Sequence, residues 1–222
     1  MRLGFFLPLL FFTGLGAARA APPVDLGEGL LYCRIHALPA DLPTAETGKK
    51  SALVLDLRYV ATDNAGATAL AAWLSFHPAG QPLLVLVNAD TSPALLRLLA
   101  APSAPPGVVT LGPPQPDLTP DVPLNSSPAT ERRAYDALDH GATIESLTVE
   151  KIDKPRYDEA TMVKDHVSDS APPPDDGGDS DDAAADPAAK KPAPPPQLID
   201  LALQRAIQLH RALLALHKIP RG

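Results

Sequence analysis

Apolar residues form short, dense runs separated by polar and Pro-rich turns, and these runs predict alternating strands and helices. The run Leu83–Val87 indicates a strand that is buried on both faces, and the Ala/Leu-rich residues that follow Pro93 predict a helix. The polar turn between them carries Asn88, Thr91 and Ser92. Such a strand-to-helix turn is where an α/β fold presents a nucleophile or an anion site. This junction is therefore the first candidate for chemistry.

The other runs extend the same alternation. Further strands are predicted over residues 30–37, 51–58, 107–111 and 142–151, the last of them on the sheet edge. Further helices are predicted over 65–76, with Asp63 or Asn64 as its cap, over 130–140, closed by Gly141, and over 197–218. Connections of this length imply right-handed strand–helix–strand crossovers. The expected fold class is α/β, with a mostly parallel, helix-covered sheet.

The first twenty residues predict a signal peptide. Arg2 is followed by an apolar core, and Ala18-Arg19-Ala20 is a cleavage signature before Ala21. An uncleaved anchor is the alternative, although the apolar core is shorter than the roughly 20 residues that span a bilayer. No second long apolar run follows, which argues against a polytopic membrane protein. The mature chain is expected in the periplasm or outside the cell.

The rest of the chain divides into a domain, a linker and a helix. Residues 29–165 are predicted to form the α/β domain, and residues 168–196 are rich in Asp, Pro and Ala without a large apolar side chain. Such a linker cannot bury enough surface to offset its ordering entropy, so it is predicted to be disordered. Its spaced carboxylates are compatible with calcium binding, but the D-x-D-x-D-G loop with a distal Glu is absent, which favours a solvated acidic linker. The amphipathic helix 197–218 is predicted to dock on the domain, with pairing to another chain, and hence a homo-oligomer, as the alternative.

Charge and cysteine content narrow the function classes. The formal net charge is −7, and loss of Arg2 and Arg19 with the signal peptide would make it −9. This charge argues against nucleic acid as a partner and gives no basis for binding anionic membranes. The single cysteine, Cys33, lies in an apolar run and is expected in the core; a reactive thiol or an intermolecular bridge is the alternative.

Several segments together resemble the carboxy-terminal processing (tail-specific) serine peptidases, whose domain has the ClpP/crotonase fold. The similar segments, in chain order, are GLLYCRI at 29–35, LVLDLR at 53–58, LVLVN at 84–88 with TSPA at 91–94, LTPDV at 118–122 and DLALQRA at 200–206. The resemblance covers roughly residues 29–140 and 198–216. It implies a sheet of ClpP/crotonase type and a peptide groove beside the strand that precedes the junction.

The catalytic positions of that family are not retained. The family's nucleophilic serine corresponds to Pro93, which has neither a hydroxyl nor a backbone N–H. The family's base is a lysine about 25 residues further on, yet no lysine occurs between Ser51 and Glu150. The glycine pair that supplies oxyanion donors is replaced by residues 59–62, Tyr-Val-Ala-Thr. The resemblance therefore implies a degenerate, non-catalytic member.

Ser92 is the remaining nucleophile candidate. A Ser followed by Pro is a common helix start, so Ser92 is predicted to cap the helix with its side chain. The alternative is a serine hydrolase in which His36, His77 or His140 approaches Ser92 in space. If the junction binds rather than reacts, Tyr59, together with the three polar turn residues Asn88, Thr91 and Ser92, lines the groove.

Other chemistry has little support in the sequence. Asp56 and Arg58, two apart on one strand, share a face and predict a structural ion pair. No His/Cys cluster has metal-ligand spacing and no Gly-rich phosphate loop occurs, so neither a metal nor a cofactor is expected. The expected function is an exported, non-catalytic peptidase-like protein that binds or scaffolds a peptide or protein, and a serine hydrolase that uses Ser92 is the alternative.

Overall fold

A sheet of six strands, arranged side by side in sequence order, forms the centre of the part of the chain that the structure describes. The structure is a computed structural model that describes residues 22–44, 46–47, 51–78, 80–100, 107–149 and 197–219. The strands are β1 (Val24–Asp25), β2 (Leu30–Arg34), β3 (Ala52–Asp56), β4 (Leu83–Leu86), β5 (Val108–Gly112) and β6 (Val122–Pro123). Strand β1 pairs antiparallel with β2, and every later pair is parallel. The predicted α/β class with a mostly parallel sheet is confirmed.

Helices cover both faces of this sheet. They are α1 (Asn64–Ser75), α2 (Pro93–Ala100), α3 (Pro128–Asp139), α4 (Ile144–Thr148) and α5 (Leu201–Ala215). Because successive side chains of a strand point to opposite faces, β3 contributes to two cores. Leu53 and Leu55 pack in the cluster that includes residues of α1 and α2, whereas Val54 packs in the cluster that includes Leu203 and Ala206 of α5. The central strands are consequently buried on both faces.

The predicted edge strand over 142–151 is wrong, because the structure has helix α4 there. Thr143 begins the helix: its hydroxyl accepts a hydrogen bond from the Ser146 N–H at 3.3 Å. Ile144 and Leu147 are three residues apart, which is helical rather than strand spacing, and Leu147 is buried. The strand prediction, which relied on the spacing of Ile144, Leu147 and Val149, therefore used the wrong period.

Other boundaries differ by a few residues. Strands β2 and β3 end at Arg34 and Asp56, before the predicted ends at residues 37 and 58, and α3 begins two residues earlier than predicted. Asp63 caps α1 by accepting from the N–H groups of Ala65 and Gly66. The predicted signal peptide (1–20) and acidic linker (168–196) lie outside the described residues.

Helix α5 lies across the sheet, and the residues before it contact α4. The backbone N–H of Asp200 donates to the Leu147 carbonyl at 2.8 Å, and the Gln197 side chain donates to the Val149 carbonyl at 2.7 Å. Residues 149 and 197 are therefore brought together by hydrogen bonds. Among the helices described, none combines the length and apolar character that a bilayer crossing requires.

Candidate functional site

The polar residues of the strand-to-helix junction are bonded to one another and to the neighbouring strand end. The Thr91 hydroxyl accepts from the Asn88 N–H at 3.0 Å and lies 3.1 Å from the Leu57 carbonyl, to which it can donate. The Asn88 side-chain oxygen accepts from the Asp90 N–H at 3.1 Å. Both Asn88 and Thr91 are buried. These groups close the turn, and their hydrogen-bonding capacity is largely used inside the protein.

The Ser92 hydroxyl donates to the Thr62 carbonyl at 2.7 Å. The predicted side-chain cap on α2 is wrong: the Ser92 backbone carbonyl accepts from the Leu95 and Leu96 N–H groups, while its hydroxyl bonds to the loop after β3. The reason is tertiary, because that loop brings Thr62 within reach of the junction. Ser92 is buried, and Pro93 begins the helix.

The histidines considered as its base have other partners. Nε2 of His77 bonds to the Gln81 carbonyl at 3.0 Å, and Nδ1 of His140 bonds to the Asp136 carbonyl at 2.8 Å. The His36 ring contacts the Tyr135 ring with centroids 6.4 Å apart. In the described part of the chain, Ser92 thus has no hydrogen bond to a histidine.

Tyr59 is the predicted groove residue that keeps a partly exposed surface. Its backbone has φ +62°, and its N–H donates to the Asn88 side chain at 3.3 Å. Its ring lies 4.7 Å from that of Tyr135, and the Arg132 guanidinium lies 4.6 Å from its centroid. Burial, followed by the charge of Glu131, raises the pKa of Tyr59 to about 12. This phenol is neutral at physiological pH.

A buried charge cluster lies at the carboxyl end of β3. The predicted pair is confirmed: Arg58 donates to both carboxylate oxygens of Asp56, at 2.9 and 2.7 Å. Arg58 also donates to both oxygens of Asp200, at 3.0 and 2.9 Å, and the Tyr32 hydroxyl donates to Asp56 at 2.7 Å. The predicted helix over 197–218 placed Asp200 near its start, but the sequence gave no sign that Asp200 reaches Arg58, 142 residues away.

This cluster fastens α5 to the sheet. Burial alone favours neutral Arg58, but the carboxylates of Asp56 and Asp200 outweigh it and raise the pKa of Arg58 well above its usual value. Burial and the negative charge of Asp56 raise the pKa of Tyr32, which keeps its hydroxyl a donor. Asp200 additionally accepts from the Leu203 N–H at 3.0 Å, so one carboxylate both caps the helix and holds the guanidinium. The role supported by these contacts is structural.

Glu131, on α3, is a buried carboxylate that the sequence did not single out. Its Oε2 accepts from the Ser126 hydroxyl at 3.0 Å, whereas its buried Oε1 has no hydrogen-bond partner in the described part. Burial raises the pKa of Glu131, and nearby Arg58 opposes that rise. The only sequence signal is a Glu at the first turn of a helix, which is usually exposed.

Residues of the peptidase-like segments serve the fold. Asp121 accepts from the N–H and hydroxyl of Thr110, both at 2.8 Å, and so ties the segment before β6 to β5. Cys33 is buried and free, as expected for a core residue, and burial raises the pKa of its thiol to about 11. The described ranges contain no group of three His, Cys, Asp or Glu side chains placed to hold a metal.

No protein-family model matches the chain, and neither does any curated protein.

Proposed function

We propose that this chain is an exported, non-catalytic α/β protein of ClpP/crotonase type that resembles the tail-specific peptidases and binds a peptide or protein. The observation that carries the proposal is the Ser92 hydroxyl, which is buried and donates to the Thr62 carbonyl at 2.7 Å. A serine nucleophile needs its hydroxyl directed at a base and accessible to substrate. The hydroxyl of Ser92 is directed at a backbone carbonyl instead.

The neighbouring residues support the same conclusion. Pro93 has no N–H to stabilise an oxyanion, and no lysine lies between Ser51 and Glu150 to act as a base. Asn88 and Thr91, the other polar groups of the turn, are buried and bonded within it. The junction keeps the shape of a strand-to-helix turn while its polar groups stabilise that turn.

Labelling with a fluorophosphonate probe tests the absence of catalysis. The chain beginning at Ala21 is incubated with the probe and, separately, with a peptide that has a nonpolar carboxyl terminus, beside an active serine hydrolase as positive control. We expect neither labelling nor hydrolysis. Labelling that disappears in Ser92→Ala would establish the serine hydrolase instead.

Export is tested independently of catalysis. Expressed in a bacterial host that secretes into a periplasm, the chain is expected in the periplasmic fraction with Ala21 as its first residue. Amino-terminal sequencing of that fraction checks the cleavage. A full-length chain retained in the membrane fraction would instead support an uncleaved anchor.

A further inference from the structure

A groove runs along the edge of the sheet between β1 and α4. Its larger cavity has a volume of about 430 Å³ and is lined in part by Val24, and its smaller cavity, of about 140 Å³, is lined in part by Leu26 and Val149. Ile144 and Glu145 line both cavities, so the two are neighbours. We refer to them together as the edge groove.

Apolar side chains are unusually exposed in the edge groove. Large apolar side chains are exposed at few described positions, and two of these positions, Val24 at 47% and Val149 at 57%, line the groove, one in each cavity. Apolar surface that remains accessible to solvent favours an interaction site when it adjoins a cavity. Val24 and Val149 give the edge groove such surface, whereas the polar residues of the junction beside β4 are buried.

Strand β1 leaves one edge available for pairing. It hydrogen-bonds with β2 on one side, and no other described strand pairs with it. An extended peptide can add to such an edge through its main chain and place alternate side chains into adjoining pockets. The edge groove supplies two pockets beside that edge.

The charged side chains that line the groove determine which of these peptides would bind best. Within the part of the chain that the structure describes, Glu145 forms no ion pair, and its side chain lines both cavities. The other charged lining residues are paired: Arg34 with Asp139 at 2.7 Å, and Arg211 with Glu28 at 3.4 Å. Among the described residues, the groove therefore offers Glu145 as a negative charge without an ion pair, where its larger and smaller cavities meet.

We infer that the edge groove binds an extended peptide segment in which a large apolar residue, a lysine or arginine, and a smaller apolar residue follow at every second position. Side chains two residues apart lie on one face of a strand, separated by about 6.6 Å. The large side chain fills the larger cavity, the cation pairs with Glu145, and the small side chain enters the smaller cavity. This inference rests on the proposed binding function and names its site and occupant.

Fluorescence anisotropy with a defined probe tests the inference. The probe is a fluorescein-labelled peptide containing Leu-Thr-Lys-Thr-Val, titrated with the whole chain from Ala21 onward. We expect saturable binding, weakened about two- to fivefold when the peptide lysine becomes glutamate. Glu145→Lys should reverse that preference. Asp117→Asn, a surface acid whose side chain lies 3.5 Å from Arg97, outside the groove, should leave the affinity unchanged.

A second variant tests the cavity itself. Ala142 lines the larger cavity, and Ala142→Trp should fill it and abolish binding, with circular dichroism confirming that the variant is folded. Absence of saturable binding to the unsubstituted chain at about 1 mM would overturn the inference, as would binding insensitive to Glu145→Lys and Ala142→Trp. A dimer that the peptide dissociates in sedimentation would make a second copy the occupant and also overturn it. Fluorophosphonate labelling tests the non-catalytic proposal separately, so failures of the two are distinguishable.

Discussion

The junction beside β4 and the edge groove beside β1 use their polar groups in opposite ways. At the junction, Asn88, Thr91 and Ser92 are buried and hydrogen-bonded within the protein. In the groove, Val24 is half exposed, and Glu145 forms no ion pair with any other described residue. The polar groups of the junction, the first candidate for chemistry in the sequence, are bonded within the protein, while the edge groove keeps exposed apolar and charged side chains.

This contrast separates structural from binding residues. A buried polar group whose hydrogen bonds are all internal contributes stability and has nothing left for a ligand. An accessible apolar pocket next to an unpaired charge contributes little to folding and gains free energy when it is covered. Substitutions at the junction should therefore lower stability, and substitutions in the groove should lower binding.

The largest loss of stability is expected at Asp200, in the buried charge cluster at the carboxyl end of β3. Asp200→Ala should lower the free energy of unfolding by about 3–5 kcal/mol, because it removes one partner of a buried ion cluster. Asp200→Asn should cost about 1 kcal/mol less than that, since it retains the oxygen that caps α5. Urea unfolding followed by circular dichroism measures both. Glu145→Gln, in the groove, is the control and should change the free energy of unfolding by less than about 0.5 kcal/mol. Equal losses for the Asp200 and Glu145 variants would contradict the distinction between structural and binding residues.

A smaller loss is expected at Thr91. Thr91→Val keeps the shape but leaves the Asn88 N–H and the Leu57 carbonyl without this partner, at a cost of about 1–3 kcal/mol. Thr68→Val is the matched control, because the exposed Thr68 hydroxyl bonds only within α1, to the Asn64 carbonyl. Thermal unfolding compares the two. A loss of stability no greater for Thr91→Val than for Thr68→Val would show that the hydrogen bonds of the junction do not stabilise the fold.

The smallest effect is expected at Glu131, and it depends on pH. Burial raises the pKa of Glu131, so the folded chain binds this proton more tightly than the unfolded chain. Stability should then fall as the pH rises from the unfolded-state pKa, about 4.3, through the raised folded-state pKa. Glu131→Gln cannot titrate and should be more stable than the unsubstituted chain at pH 7, by roughly 1 kcal/mol. Unfolding measured across pH 4–7 should show that the difference in free energy of unfolding between the two chains narrows as the pH falls. A difference that widens would contradict the raised pKa of Glu131.

Local pattern accounted for much of the fold. The apolar runs around Leu53 and Leu84 predicted buried strands, since strands covered on both faces need continuous apolar residues. Asp63 was foreseen as a cap because capping depends on atoms two or three residues away. Helix α4 was missed because three apolar residues, Ile144, Leu147 and Val149, are too few to define a period.

The candidate site was less accessible to sequence reasoning. The Asp56–Arg58 pair was predicted because two residues on one strand face must meet. The side-chain partner of Ser92 was predicted wrongly. Local rules favour a nearby backbone N–H as the partner, whereas the Ser92 hydroxyl donates to the Thr62 carbonyl, 30 residues away in sequence. The burial of Glu131 and the edge groove could not be predicted from the local sequence, because each depends on contacts between separate elements.

The sequence by itself determined the α/β alternation, the presence of a proline at position 93 and the pairing of Asp56 with Arg58, because each depends on residue type and short-range geometry. The tertiary structure decided where the Ser92 hydroxyl points, which carboxylate joins Arg58 from α5, and which described residues line the edge groove. Those outcomes depend on contacts between elements far apart in the chain, and such contacts are fixed only when the faces of the sheet are covered.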